Sequence, residues 1–160
     1  MQGEPTLDPS NPAIACRRRA MDLLALRDHS RMELARKLAA RGFATDAIAA
    51  ALDGLERDGL LQSARFVESF VTGRIRKGQG PVRIRAELAQ RGIDDAGIAA
   101  GLAAAAVDWI ELAMHVRTKR YGDAAPADFK ERMRQAKFLQ YRGFEPDQVR
   151  AALDVGADSD

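Results

Sequence analysis

Few side chains in this chain could act on a covalent bond, and the sequence does not bring them together. The two histidines, His29 and His115, are far apart, and neither stands in the His-Glu-x-x-His pattern of zinc enzymes. The single cysteine, Cys16, precedes three arginines that would lower its pKa if the thiol were exposed, but a half-buried structural cysteine is the better interpretation. The sequence therefore predicts no catalytic residue, no metal site and no cofactor.

One glycine-rich segment has the composition of a phosphate-binding loop. Gly78-Gln79-Gly80-Pro81 lacks the Gly-Lys-Ser/Thr ending of such a loop, however, and it follows a predicted helix instead of a strand. Pro81 also removes one of the backbone N–H donors on which a phosphate loop depends. We interpret the segment as a turn between two helices, with Pro81 opening the second.

Basic side chains are the remaining chemistry, and they are unevenly distributed. The formal net charge is +2, but five acids lie in the terminal segments, so the body of the chain carries 25 basic and 18 acidic residues. Arg65–Arg91 holds seven basic and two acidic residues, and Arg117–Arg142 holds eight and three. Such stretches indicate contact with phosphate or with an acidic protein groove, or else a solvated helix face.

Charge density alone selects the candidate partner-binding residues. The main set flanks the glycine-rich turn and consists of Arg74, Arg76, Lys77, Arg83, Arg85 and Arg91. The secondary set is Lys130, Arg132, Arg134 and Lys137, which the periodicity of a helix would spread around its surface.

A motif that occurs three times predicts the elements that position these residues. Each copy is leucine, two spacers, Arg-Gly and an apolar residue, and the glycines Gly42, Gly92 and Gly143 are 50 and 51 residues apart. A glycine just past a helix end adopts the left-handed conformation of a Schellman cap, and the next residue packs back on the leucine. The triplication indicates one helical module used three times.

The modules extend beyond the cap. Residues 30–53 and 131–154 share twelve of 24 positions, and an amphipathic run precedes each aligned block. We therefore predict an all-α fold of three tandem three-helix modules that form a curved, elongated array. The predicted modules cover residues 11–59, 60–106 and 107–154, between a disordered N-terminus (1–10) and an acidic frayed tail (155–160).

The third copy departs from the other two. Gln135 stands where the first two copies have Leu34 and Ile84, and Phe138 stands opposite Lys37 and Glu87. We interpret this as a longer second helix whose buried face has rotated. Without a signal peptide or a run of eighteen apolar residues, the expected location is the cytoplasm, with no membrane contact.

The arrangement resembles the RecX family, the bacterial modulators of the RecA recombinase. The matching segments are Ser30–Phe43, Leu60–Phe66, Gly80–Ile93 and Arg142-Gly143-Phe144, and the resemblance covers about residues 15–154. No single motif is diagnostic, but their order, spacing and triplication are specific. Where family members usually have an acidic N-cap before the second module, this chain has Gln62-Ser63, and serine also caps a helix.

The resemblance implies a non-enzymatic function. A family member of this kind would bind in the groove of the RecA–DNA filament and lower ATP hydrolysis, strand exchange and co-protease activity, and so regulate DNA repair, homologous recombination and the SOS response. Its partners would be the RecA filament and DNA, single- or double-stranded, bound weakly or within the filament. We expect a monomer. The alternative is a stand-alone helical DNA-binding protein that acts through its basic face.

Overall fold

The computed structural model describes residues 10–154, and all regular structure in that range is helical. The helices are α1 Pro12–Leu26, α2 Arg31–Ala40, α3 Thr45–Arg57, α4 Ser63–Arg76, α5 Pro81–Gln90, α6 Asp95–Ala105, α7 Trp109–Tyr121, α8 Phe129–Tyr141 and α9 Pro146–Leu153. The predicted all-α fold of three successive helical triplets is therefore confirmed. Residues 1–9 and 155–160, most of the predicted disordered N-terminus and all of the frayed tail, lie outside the described residues.

Side-chain caps fix where several helices begin. Asn11 Oδ1 accepts from the Ala13 N–H at 2.9 Å, and Pro12 occupies the first position of α1, as its sequence predicts. Ser30 and Glu33 form a reciprocal capping box at the start of α2. The carboxylate of Asp128 accepts from the Glu131 N–H at 2.8 Å and begins α8.

Glycine caps end the second helix of the first and third triplets. The Gly42 N–H donates to the Ala39 carbonyl at 3.0 Å and the Phe43 N–H to that of Leu38 at 3.3 Å, with Gly42 at φ +90°. These are the two hydrogen bonds of a Schellman motif. The same pair of bonds forms at Gly143, which has φ +97°. The interpretation of the repeated motif as a helix C-cap is confirmed at these positions.

The chain divides into two compact units. The first comprises the residues up to Phe66 together with Arg91–Ile93, and the second comprises Val67–Gln90 and the residues from Asp94 onward. The core of the first unit is formed by α1, α2 and α3, and its buried residues are Cys16, Ala20, Leu23, Leu34, Leu38, Ile48, Ala51, Leu52, Leu55 and Leu61. Cys16 is fully buried, not half-buried as expected, and burial raises the pKa of its thiol.

The second unit has a core cluster around α7, α8 and α9. Its buried members are Ala113, Val116, Leu139, Phe144, Val149, Ala152 and Leu153. Among the residues described, no single helix is long and apolar enough to cross a membrane, and only the bent pair α6 and α7, which meet at 72°, has the joint length and composition of a candidate.

The predicted rotation of α8 was wrong. The helix is longer than α2 and α5, at 13 residues against 10, but Gln135 is only 3% exposed and faces the core as Leu34 and Ile84 do. A polar side chain is accepted there because Arg117, also buried, donates from Nε to Gln135 Oε1 at 2.8 Å. The buried face is thus retained, and a hydrogen-bonded pair replaces an apolar contact.

Candidate functional site

Two arginines of the predicted main set share one carboxylate. Glu87 on α5 forms ion pairs with two arginines. Its Oε2 lies 2.8 Å from Arg74 Nε, and its Oε1 lies 3.1 Å from Arg83 Nε. The guanidinium of Arg74 also lies 4.5 Å from the centre of the Phe70 ring. These half-buried contacts hold both arginines in place, and the single negative charge of Glu87 compensates one of their two positive charges.

Three other predicted arginines are also paired with acids. Arg85 contacts Glu145 at 2.8 Å, and Arg132 contacts Asp154 at 2.7 Å. Arg134 lies 3.5 Å from a neighbour on its own helix, Glu131. Arg91, at the end of α5, is half-buried and belongs to the first unit, so the main set is not gathered on one surface of the second.

The other two residues of the main set, Arg76 and Lys77, line a cleft of about 280 Å³ in the second unit. The cleft lies among the end of α4, α7 and α8. Its ionisable lining residues are Arg76, Lys77, His115, Lys119, Arg120 and Arg142, and none of the described residues that line it is acidic. We call this feature the basic cleft. It brings together the two basic stretches that the sequence shows separately.

An aromatic side chain orders part of the basic cleft. The guanidinium of Arg142 lies 5.3 Å from the centre of the Phe138 ring, and that of Arg120 lies 5.9 Å from it. Arg142 also donates to the backbone carbonyl of Lys77 at 2.8 Å. A cation–π contact at an exposed site contributes about 0.5–1 kcal/mol. The contacts with the Phe138 ring therefore restrict the conformations of both arginine side chains.

The glycine-rich turn contributes Gly78 to the lining of the basic cleft. Gly78 adopts φ +76° at the end of α4, and Pro81 opens α5, so the predicted interhelical turn is confirmed. The Gly80 N–H donates to the Arg142 carbonyl at 2.8 Å, and a Cβ at Gly80 would overlap the Gly143 carbonyl group. Gly80 is therefore required by close backbone approach.

The hydrogen bond between Arg117 and Gln135 joins α7 to α8. Arg117 also donates to the Ala124 carbonyl in the loop between α7 and α8, and Gln135 donates to Glu131 at 3.2 Å. This network anchors a loop that the other triplets do not have. Its participants are hydrogen-bonded to one another, which offsets the cost of burying a guanidinium.

Three of the four residues of the secondary set line a second surface, on α8. Lys130, Arg134 and Lys137 line a shallow open depression together with Phe129 and Met133. Phe129 is 77% exposed and Met133 is 42% exposed. Asp128 and Glu131 also line the depression, so it combines three basic and two acidic residues with exposed apolar side chains.

Four residues of the basic cleft were absent from the predicted sets: His115, Lys119, Arg120 and Arg142. The signal available in the sequence was Phe138, which replaces the charged Lys37 and Glu87 of the other copies and lies in the cleft. In the part of the chain that the structure describes, no three His, Cys, Asp or Glu side chains form a cluster that could hold a metal ion.

Comparison with known proteins identifies the family. Three family models match in order: the first three-helix domain of RecX at residues 16–55, the second at 64–102 and the third at 106–153. The chain belongs to the RecX family. It is 51% identical over 146 residues to the regulatory protein RecX of Halorhodospira halophila, a match that covers 91% of this chain and 90% of the relative. Identity to that of Pseudomonas savastanoi pv. phaseolicola is 48% over 136 residues, with coverage of 85% and 88%.

Solved structures of RecX proteins share the fold. The crystal structure of RecX from Lactobacillus salivarius matches with a TM-score of 0.75 at 21% identity, over 89% of this chain and 95% of that one. A second crystal structure, of a regulatory protein RecX, matches with a TM-score of 0.78 at 20% identity, over 96% and 82%. The helical fold is thus common to RecX sequences that have diverged widely.

Proposed function

We propose that this RecX-family chain is a non-enzymatic regulator that binds the RecA–DNA filament. Binding would lower ATP hydrolysis, strand exchange and co-protease activity by the recombinase, and would thereby regulate DNA repair and the SOS response. It would act in the cytoplasm as a monomer, without a cofactor. Membership of a family of regulatory proteins supports the role, and the observation that carries it here is the uncompensated positive charge of the basic cleft.

The basic cleft suits a partner that is itself a polyanion. A filament of recombinase on DNA presents phosphates and acidic protein surface at regular intervals, and a cationic cleft raises the rate and strength of such an encounter. Arg76 and Lys77 would attract the negative charges of the filament to the basic cleft. The arginines paired with Glu87 and Glu145 would contribute less to this attraction.

The test is RecA ATP hydrolysis on single-stranded DNA, with this chain titrated from far below to above one copy per recombinase. We expect hydrolysis to fall. Inhibition at well below stoichiometric amounts would favour capping of filament ends over coating of the groove. Unchanged hydrolysis at saturating protein would refute the proposal.

A control separates filament binding from capture of the DNA. The titration is repeated at a fixed amount of filament with increasing amounts of an oligonucleotide too short for the recombinase to coat. If the chain acts on the filament, the amount required for half-inhibition does not change as this free strand is added. Relief in proportion to free DNA would favour the second candidate, a stand-alone DNA-binding protein that the same cleft also supports.

A further inference from the structure

We propose that the open depression on α8 is a docking site for this chain's own acidic tail, residues 155–160, and that the docked tail weakens binding to a polyanionic partner. The inference rests on the proposed function only for the identity of that partner. Its tests contain no recombinase, so the two proposals can fail separately. The argument depends on where α9 ends, on what the depression presents and on what the tail carries.

The last described residue lies beside the depression. α9 begins just after α8 ends, and Asp154, which follows the last residue of α9, contacts Arg132 in the first turn of α8 at 2.7 Å. α9 therefore runs back along α8. Arg132 is next in sequence to Met133, which lines the depression. The tail thus begins at the surface on which we propose that it docks.

The tail is long enough to reach the whole depression. Six extended residues span at most about 20 Å. α8 has 13 residues and is therefore about 20 Å long. The residues that line the depression extend only from Ala127 to Lys137, so all of its cations are within reach of a segment that starts at Asp154.

The depression presents apolar and cationic side chains next to one another. Phe129 and Met133 are exposed, and because they are four positions apart on α8 they are neighbours on its surface. Lys130 and Lys137 form no ion pair with any residue that the structure describes. Such a surface fits a short segment that carries both apolar and acidic side chains.

The two acids that line the depression leave both lysines available. The carboxylate of Asp128 caps the start of α8 and accepts from the Glu131 N–H at 2.8 Å. The carboxylate of Glu131 accepts from Gln135 at 3.2 Å and lies 3.5 Å from Arg134. Both acids are therefore engaged within α8, and the lysines can pair with acids from outside the helix.

The tail has the complementary composition. It carries two acids, two apolar residues and no cation, in the order Val155-Gly156-Ala157-Asp158-Ser159-Asp160. The acids would pair with the lysines, and Val155 would lie against Met133. Exposed ion pairs are weak, so a partner with many negative charges displaces the tail. The docked tail therefore lowers the affinity for such a partner without preventing binding.

The docking is tested by NMR on the full-length chain with a nitroxide spin label at Ser159→Cys. The native thiol of Cys16 is fully buried, so the label reacts at position 159, and the unaltered chain checks that Cys16 stays unlabelled. The test variant adds Asp158→Asn/Asp160→Asn to the labelled chain. Thermal unfolding checks that both labelled chains remain folded.

The matched control adds Glu4→Gln/Asp8→Asn to the labelled chain instead. It also removes two acids, but from the other end of the sequence, so the two variants have the same net charge. The attachment of the tail at Asp154 is identical in all three labelled chains. Differences among them therefore report docking and not the distance of the tail along the sequence.

We expect the label to enhance the relaxation of the Lys130 and Lys137 amides. Loss of two exposed ion pairs should lower the ratio of docked to undocked tail at least about fourfold in the test variant, and the enhancement should fall with it. Raising the sodium chloride concentration should have the same effect on the unaltered tail. The control should keep the full enhancement. Equal enhancement in all three labelled chains would mean a tethered tail that does not dock, and would overturn the proposal.

A mixed sample distinguishes the chain's own tail from that of a second copy. Isotope-labelled chain without nitroxide is mixed with isotope-free chain that carries it. Absence of enhanced relaxation at α8 would support docking within one chain. Enhancement as strong as in the singly labelled sample would show that a second copy covers the depression, and the proposal would be wrong.

The effect of the tail on polyanion binding is measured on heparin-agarose, without nitroxide and without recombinase. Asp158→Asn/Asp160→Asn should elute at a higher salt concentration than Glu4→Gln/Asp8→Asn, because only the first variant uncovers the cations of α8. Elution of the two variants at the same salt concentration would show that only net charge matters and would refute weakening by the docked tail. A chain that passes both tests and yet leaves RecA ATP hydrolysis unchanged would refute the proposed function alone.

Discussion

At the scale of single residues, His29 is the titratable group whose surroundings are most constrained. Its ring is only 2% exposed, Nδ1 lies 2.9 Å from the Arg27 carbonyl, and Nε2 lies 2.8 Å from Lys37 Nζ. Nδ1 must therefore carry the proton, while Nε2 accepts a hydrogen bond from the lysine. Burial lowers the pKa of His29, and the charges of Arg27 and Lys37 lower it further, although the Arg27 carbonyl and Glu33 act in the opposite direction.

This environment predicts that the chain loses stability as the pH falls. In the unfolded chain His29 titrates near its ordinary pKa of 6.5, and in the folded chain it titrates at a lower value. The unfolded state therefore binds more protons in that interval, so the contribution is fully present above pH 6.5 and is lost as the pH falls through the folded pKa. Urea unfolding of the full chain across this range should show the loss, and His29→Gln should reduce it.

The control for this prediction is His115→Gln, which removes the other histidine from an exposed position in the basic cleft. That variant should keep the pH dependence of the unaltered chain. If His29→Gln has the same pH dependence as the unaltered chain, other groups account for the loss of stability. One such group is Glu33, whose lowered pKa affects stability at more acidic pH.

At the scale of elements, the repeated glycine caps differ in what lies beside them. Nothing lies within 4 Å of a Cβ built on Gly42, whereas one built on Gly92 would lie 2.7 Å from Met32 Cε. At Gly143 the added Cβ would overlap Arg83 Cβ and lie 2.8 Å from the Arg83 backbone nitrogen. At Gly42 the motif therefore has one function, which is to end a helix. At Gly143 it also permits two backbones to approach closely.

Alanine substitution separates these two functions. Gly42→Ala adds only the cost of a left-handed conformation, about 1–2 kcal/mol. Gly143→Ala adds the same cost and also an overlap with the first turn of α5, for which overpacking costs typically about 1–3 kcal/mol more. We expect the free energy of unfolding, measured with urea, to fall further for Gly143→Ala. Equal losses would mean that α5 moves aside at no cost.

The elements themselves were predictable because their signals are local. Asn11-Pro12 and the three Arg-Gly motifs act within one helical turn, and the helix boundaries follow from them. Gln135 was misread because glutamine is normally a surface residue, and its burial depends on Arg117, eighteen positions earlier on another helix. A hydrogen bond between distant buried side chains leaves no periodic signal in the sequence.

At the scale of the whole molecule, charge density in the sequence did not predict which charges remain available. Arg85 is paired with Glu145, 60 positions away, and Arg132 is paired with Asp154, 22 positions away. The basic cleft in turn depends on contacts such as that of Arg142 with Lys77, 65 positions away. The candidate set thus included both paired and available cations, because pairing over such distances is decided by the tertiary fold.

The difference between paired and available cations predicts how strongly variants inhibit RecA ATP hydrolysis. Arg76→Gln/Lys77→Gln and Lys130→Gln/Lys137→Gln remove cations that have no ion pair with a described residue, whereas Arg85→Gln/Arg132→Gln removes two that are paired. All three double variants lower the net charge equally. If binding uses available charge, the first two should raise the concentration for half-inhibition more than the third.

The expected difference is severalfold, because an exposed ion pair already compensates its arginine and contributes at most about 1 kcal/mol to stability when intact. Its loss should therefore change the fold little and the attraction for a polyanion only modestly. An equal effect of all three variants would show that the partner responds to total charge through a long-range field. In that case raising the salt concentration should abolish inhibition by every variant to the same extent, whereas contacts inside the basic cleft would be screened less.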